Sequence, residues 1–116
     1  MIVEDDDSSL DLAKRLVEDM GHTVLTASDG TKGLELARSE KPDLLLLDLR
    51  MPGIDGLQVV REIRADPTLR TLPVIAVSAD IADDGRAAAM AGCDDFVAKP
   101  YHPEELRAAI RRRSPG

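Results

Sequence analysis

Residues 43–53 read Asp43-Leu44-Leu45-Leu46-Leu47-Asp48-Leu49-Arg50-Met51-Pro52-Gly53. A short, uninterrupted apolar run bounded by turn residues is the pattern of a strand buried on both faces of a sheet. The Met51-Pro52-Gly53 stretch cannot extend a central strand, so Asp48 stands where a buried strand opens into a loop. In an open parallel sheet the carboxyl ends of the strands are where ligands bind. Asp48 is therefore the first candidate functional residue.

Three other apolar stretches end in the same way. Met1-Ile2-Val3 runs into Glu4-Asp5-Asp6-Asp7, Leu72-Pro73-Val74-Ile75-Ala76-Val77 ends in Ser78, and Asp95-Phe96-Val97-Ala98 ends in Lys99-Pro100. Helical patterns alternate with these strands. Ser8 or Asp7 caps a helix to Met20 with a stripe of Leu12, Ala13, Leu16, Val17 and Met20. Thr23 to Ala27 forms a short strand, and a helix opens at Asp29-Gly30 and stops before Pro42. Further helices open at Asp55 or Gly56, at about Asp83 (closing at Gly92), and at Pro103, the last running through Ile110.

Every strand is followed by a helix, which predicts an α/β fold: a doubly wound, five-stranded parallel sheet with helices on both faces. Five strands favour the flavodoxin-like order 2-1-3-4-5 with five helices, whose switch point lies between the first and third strands. That topology sets Glu4 and Asp5 beside Asp48.

The chain of 116 residues is read as one domain, residues 1–116, with 43% hydrophobic but only 2% aromatic residues, so aliphatic side chains fill its core. A net charge of −7 argues against a direct nucleic-acid partner; Arg111-Arg112-Arg113 is read as the solvated last turn of a helix. The single cysteine, Cys93, excludes an intramolecular disulfide and is read as a small buried residue. The sequence shows no signal peptide and no membrane-spanning stretch, so the expected location is cytoplasmic, without a membrane partner. His22, after Gly21, is read as a surface residue, and His102 is given no role.

Three carboxylates meeting at one sheet edge repel each other unless a cation lies among them. Oxygen donors without cysteine or histidine suit Mg2+, with Mn2+ possible, rather than zinc. Lys99 adds an ammonium and Ser78 a hydroxyl, which together with a divalent metal are the groups that neutralise a phosphoryl group. Asp48 is then the candidate nucleophile for an acyl phosphate.

Val3-Glu4-Asp5-Asp6, Lys41-Pro42-Asp43, Leu47 to Gly53, Asp55-Gly56, Val77-Ser78-Ala79, Ala91-Gly92-Cys93-Asp94-Asp95 and Val97-Ala98-Lys99-Pro100 occur in order along the whole chain. On these segments the chain resembles a response-regulator receiver domain of two-component signalling, of the single-domain type. The resemblance implies that Asp48 is the phosphoacceptor. It implies that Glu4 and Asp5 position magnesium, Asp5 as the direct ligand, with Asp48 and the backbone carbonyl of Arg50 completing the protein's share. It implies that Ser78 bonds the phosphoryl group, that Lys99 pairs with it, that the Lys99–Pro100 peptide is cis, and that Phe96 is an aromatic switch that turns inward. A histidine kinase or histidine phosphotransfer protein is the implied donor, and a downstream protein the implied target. The implied self-catalysed phosphorylation and hydrolysis do not make the chain a turnover enzyme.

The first strand is short for the family. Arg50 and Asp80 each lie two residues beyond a pocket residue; together with small Ala79 they are expected to gate the site. Leu10, at the edge of the first helix's stripe, is a candidate for kinase docking. The rival readings are a phosphorylation-independent docking module and a magnesium phosphatase. The second commonly needs an aspartate where this chain has Arg50.

Overall fold

The computed structural model describes residues 1–51 and 53–113; Pro52 of the loop after Asp48 and the tail 114–116, read as a terminus or linker, lie outside the described residues. Strands and helices alternate: β1 (Ile2–Val3), α1 (Asp7–Asp19), β2 (Thr26–Ala27), α2 (Gly30–Glu40), β3 (Leu45–Asp48), α3 (Gly56–Ala65), β4 (Val74–Ser78), α4 (Ile81–Ala91), β5 (Asp95–Ala98) and α5 (Pro103–Arg113). The strands form one parallel sheet in the order β2-β1-β3-β4-β5, as the alternation predicts.

The leucine run explains why the sheet carries helices on both sides. Successive strand side chains point to opposite faces. Leu45 and Leu47 join Leu34, Val59, Val60, Ile63 and Ala88 in a core beneath α2, α3 and α4. Leu46 joins Ile2, Ala13, Leu16, Leu106 and Ile110 in a second core beneath α1 and α5. Two residues suffice for β1 because they serve both layers, Val3 the first and Ile2 the second. Register then places the site: Val3 lies opposite Leu47, so Glu4 comes level with Asp48.

Several boundaries differ from the sequence reading. Asp6, not Ser8 or Asp7, caps α1; its carboxylate accepts the Ser9 N–H at 2.9 Å. Leu12 leaves the apolar stripe and is 46% exposed, because the buried face runs through the half-buried Leu10 to Ala13, Val17 and Met20. β2 is confined to Thr26–Ala27, which lie in register with Ile2 and Val3 of the equally short β1. α4 begins at Ile81, two residues earlier than expected, because Asp80 accepts the Asp83 N–H at 3.1 Å and acts as its cap.

α5 continues to Arg113, and its exposed arginines are not simply solvated: Arg112 bonds Asp95 at 2.9 Å. His102 and Glu105 form a reciprocal cap at its start: the Glu104 N–H donates to His102 Nδ1 (3.3 Å), and the His102 N–H donates to Glu105 (3.1 Å). His22 is exposed, as read.

The amino-terminal edge of the sheet is tied by Arg64. Its guanidinium donates to the carbonyls of Gly92 (2.9 Å), Arg70 (2.9 Å) and Leu72 (2.7 Å) and to Asp94 (3.0 Å). Asp94 in turn accepts the Val74 N–H at 2.8 Å, joining the starts of β4 and β5. Gly92 ends α4 at φ +108°, where a side chain would be strained, and Arg64 fills the space a Cβ would need. Arg64→Ala is expected to lower stability by about 1–3 kcal/mol in urea unfolding, through the acceptors left unpaired. Burial pushes the neighbouring Cys93 thiol up to about 11. Alkylation at pH 8 is therefore expected to run roughly 100-fold slower than for an exposed thiol and to speed up as pH rises toward 11. Alkylation at the rate of an exposed thiol would contradict this burial.

Candidate functional site

Four strand ends supply the site. Glu4 follows β1, Asp48 ends β3, Ser78 ends β4 and Lys99 follows β5. α1, α3 and α4 each begin at this same edge, so the positive ends of three helices face it, an arrangement suited to an anion. The position of Asp48 is fixed from below by Gly56. A Cβ there would come within 2.6 Å of Leu49 Cα and 2.9 Å of the Asp48 carbonyl oxygen, so only glycine lets α3 pack against the backbone of the strand end.

Glu4, Asp5 and Asp48 each offer a carboxylate oxygen, all within 4.8 Å of one another. Glu4 and Asp48 are buried while Asp5 is exposed, so the group is open to solvent on one side. Three hard oxygen donors with an open side could hold a magnesium-like ion that keeps positions for other oxygen ligands. Lys99 Nζ lies 2.6 Å from Glu4 Oε1 and 3.2 Å from Asp48 Oδ2. Burial and then the Asp48 carboxylate push the Glu4 carboxyl up to about 7, against the pull of Lys99. Burial alone would lower the Lys99 ammonium, but Glu4 and Asp48 outweigh it and raise it. The second Asp48 oxygen accepts the Arg50 N–H at 2.9 Å. The Lys99–Pro100 peptide is cis.

Arg50 and Asp80 pair, Arg50 Nη2 lying 3.3 Å from Asp80; the Arg50 side chain is exposed, that of Asp80 partly so, and Ala79 beside them is exposed too. The pair is subordinate to a contact absent from the sequence reading. Arg50 grips Asp84 with two bonds, Nε to Oδ2 at 2.8 Å and Nη2 to Oδ1 at 2.9 Å. Asp84 also accepts the hydroxyl hydrogen of Ser78. Burial works to raise the Asp84 carboxyl, but its bonds to Arg50 and Ser78 prevail and hold it below the ordinary carboxylate range. Ser78 is thus buried at the site, with its hydroxyl committed to α4 rather than to Asp48. Phe96 is half-buried and packs against the core beneath α2, α3 and α4.

Comparison with known proteins agrees with this geometry. Residues 1–111 match the response regulator receiver domain. The chain belongs to this family. The receiver domain is 37% identical over 101 residues to the polar-differentiation response regulator DivK of Brucella anthropi, which covers 86% of the chain and 82% of that protein. It is 35% identical over 118 residues to the alkaline phosphatase synthesis transcriptional regulatory protein PhoP of Bacillus subtilis, covering 98% of the chain but 48% of that protein. The chain spans about half the length of several such relatives. Among solved structures, the receiver domain of sensor histidine kinase PA1611 from Pseudomonas aeruginosa matches with TM-score 0.90 and 31% identity over 97% of this chain and 93% of that one. That structure has a magnesium ion coordinated in its active site cleft.

The receiver domain serves two-component signalling, in which such domains interact with histidine kinases and downstream targets in general. Among the described residues, no helix is long and apolar enough to cross a membrane. Asp5 lies in the carboxylate cluster, whereas Asp6 caps α1 and Asp7 sits exposed in its first turn. Asp5→Asn is therefore expected to weaken magnesium binding by on the order of tenfold or more, and Asp7→Asn to leave it nearly unchanged. Titration followed by thermal shift separates the two, and equal losses would contradict this assignment.

Proposed function

We propose that Asp48 accepts a phosphoryl group from a phosphohistidine on a histidine kinase or histidine phosphotransfer protein, and that the modified domain switches a protein-binding face. The observation that carries this reading is the placement of Lys99 between Glu4 and Asp48 beside the three-carboxylate cluster. The cluster fits a divalent cation. When bound by Glu4, Asp5, Asp48 and the backbone carbonyl of Arg50, magnesium would supply positive charge to phosphoryl oxygens.

The protein's own groups carry the rest. An Asp48 carboxylate oxygen attacks phosphorus. The P–O bond forms as the P–N bond breaks, and the electron pair returns to the donor imidazole. Lys99, already beside Asp48 Oδ2, pairs with a phosphoryl oxygen as negative charge builds. Ser78 donates its hydroxyl hydrogen to another. Phe96 turns further inward behind it, and the surface of α4, β5 and α5 changes shape toward a downstream protein. Hydrolysis of the acyl phosphate resets the domain, so it acts as a switch and not as an enzyme turning over an external substrate.

Incubation with acetyl phosphate and magnesium, followed by intact-mass analysis, tests the reading. One phosphoryl adduct is expected on the wild type and none on Asp48→Ala or in EDTA. A full adduct on Asp48→Ala would sink the assignment, and its absence from the wild type would favour a docking module independent of phosphorylation.

Arg50, Ala79 and Asp80 frame the approach of water to the acyl phosphate, with small Ala79 leaving room for the donor. The Arg50–Asp80 pair is open to solvent and adds little stability. Asp80→Asn removes the charge while retaining a side chain that caps α4. It is expected to change the autodephosphorylation rate severalfold at an unchanged melting temperature. Arg50→Ala does not give so clean a test, because it strips the buried Asp84 of its counter-charge. An Asp80→Asn decay rate equal to wild type would refute the gating role.

A further inference from the structure

A serine hydroxyl has one proton to donate. Here Ser78 donates it to Asp84, a carboxylate of α4 that is only 6% exposed. Arg50 holds the same carboxylate through two bonds, while its own backbone N–H holds Asp48. Asp84 is not spent on capping its helix, since Asp80 is the cap of α4. A single buried carboxylate thus joins α4 to the hydroxyl at the end of β4 and to the residue that touches the phosphoacceptor.

We infer that Asp84 is a positioning residue that latches the resting state: it withholds the Ser78 proton from the phosphoryl site and ties α4 to β4 through that bond. The inference rests on the reading of Asp48 as phosphoacceptor. A phosphoryl oxygen on Asp48 that accepts the Ser78 proton must take it from Asp84. The two bonds exclude each other, so the chemistry at Asp48 is converted into the release of one anchor of α4. The arrival of the phosphoryl group is transmitted by an exchange of hydrogen-bond acceptor, with no new contact required on α4 itself. Asp84 then sets how far the unmodified domain leans toward the active arrangement.

The test is a cycle of Asp84→Ala in the wild-type and Ser78→Ala backgrounds. The rate of adduct formation from acetyl phosphate with magnesium is followed by intact mass. Asp84→Ala is expected to speed phosphorylation severalfold in the presence of Ser78, and to gain much less in Ser78→Ala, where no proton remains to be released. Asp84→Asn keeps an acceptor for the hydroxyl, so it is expected to gain less than Asp84→Ala. Equal gains in both backgrounds would show that Asp84 acts through charge or through Arg50 alone, and would overturn the latch; so would no gain at all.

If Asp84→Ala does not fold, hydrogen exchange on the wild type decides. Amides in the first turn of α4 are expected to exchange faster once Asp48 carries phosphate, and unchanged exchange would overturn the proposal. The two readings fail separately: no adduct on the wild type removes the phosphoacceptor role itself, whereas an adduct without Ser78-dependent gain removes only the latch.

Discussion

Lys99 is the cation on which the architecture of the site depends. It reaches from just after β5 to the buried carboxylates that follow β1 and end β3, at 2.6 and 3.2 Å. Two like charges about 4 Å apart repel by roughly 1 kcal/mol in water and about 4 kcal/mol near a protein surface. Packing three carboxylates into one cluster is therefore unfavourable unless a positive charge is built in. The parallel register leaves little freedom to avoid it, because pairing Val3 with Leu47 to fill the core brings Glu4 level with Asp48. Hydrophobic burial places the acids together, and Lys99 offsets part of their repulsion. A divalent cation in the same cluster would meet a site already shaped for positive charge.

Much of this was legible from residue order. The leucine run, the alternation of strands and helices, and the polar residue at each strand end predict both the strand order and the meeting of Glu4, Asp5, Asp48 and Lys99. Asp84 was not legible in the same way. With the helix placed from about Asp83, no cap at Asp80 sets its phase, and the inward face of Asp84 stays hidden. A signal was present nonetheless: with Asp80 as cap, Asp84 lies one turn before Ala88, which is buried at 1% exposure. Its partners come from the loop after β3 (Arg50) and from the end of β4 (Ser78), and no local pattern announces that they converge.

Other misreadings share a physical cause. Leu12 and Leu10 both fit an apolar helical spacing with Leu16 or Val17, and only the packing of α1 against the second core chooses Leu10. His102 carries no obvious chemistry, yet as the residue before Pro103 it shares a reciprocal cap with Glu105. Strand lengths were overread at β2 because a strand ends where its neighbour ends, and β1 is two residues long.

The hydrogen bonds of Arg64 lie at the opposite rim of the sheet from the carboxylates. Its guanidinium and Asp94 bind together segments that precede β4 and β5, where polar groups find their partners. The carboxylate rim is frustrated by comparison, with like charges crowded and the Ser78 proton held by Asp84 and not by Asp48. This separation makes the domain modular in a functional sense. Substitutions around the frustrated rim can retune how quickly and how long the domain signals, while cohesion is maintained from the other end. A family of switches could thus diversify its timing without rebuilding its scaffold.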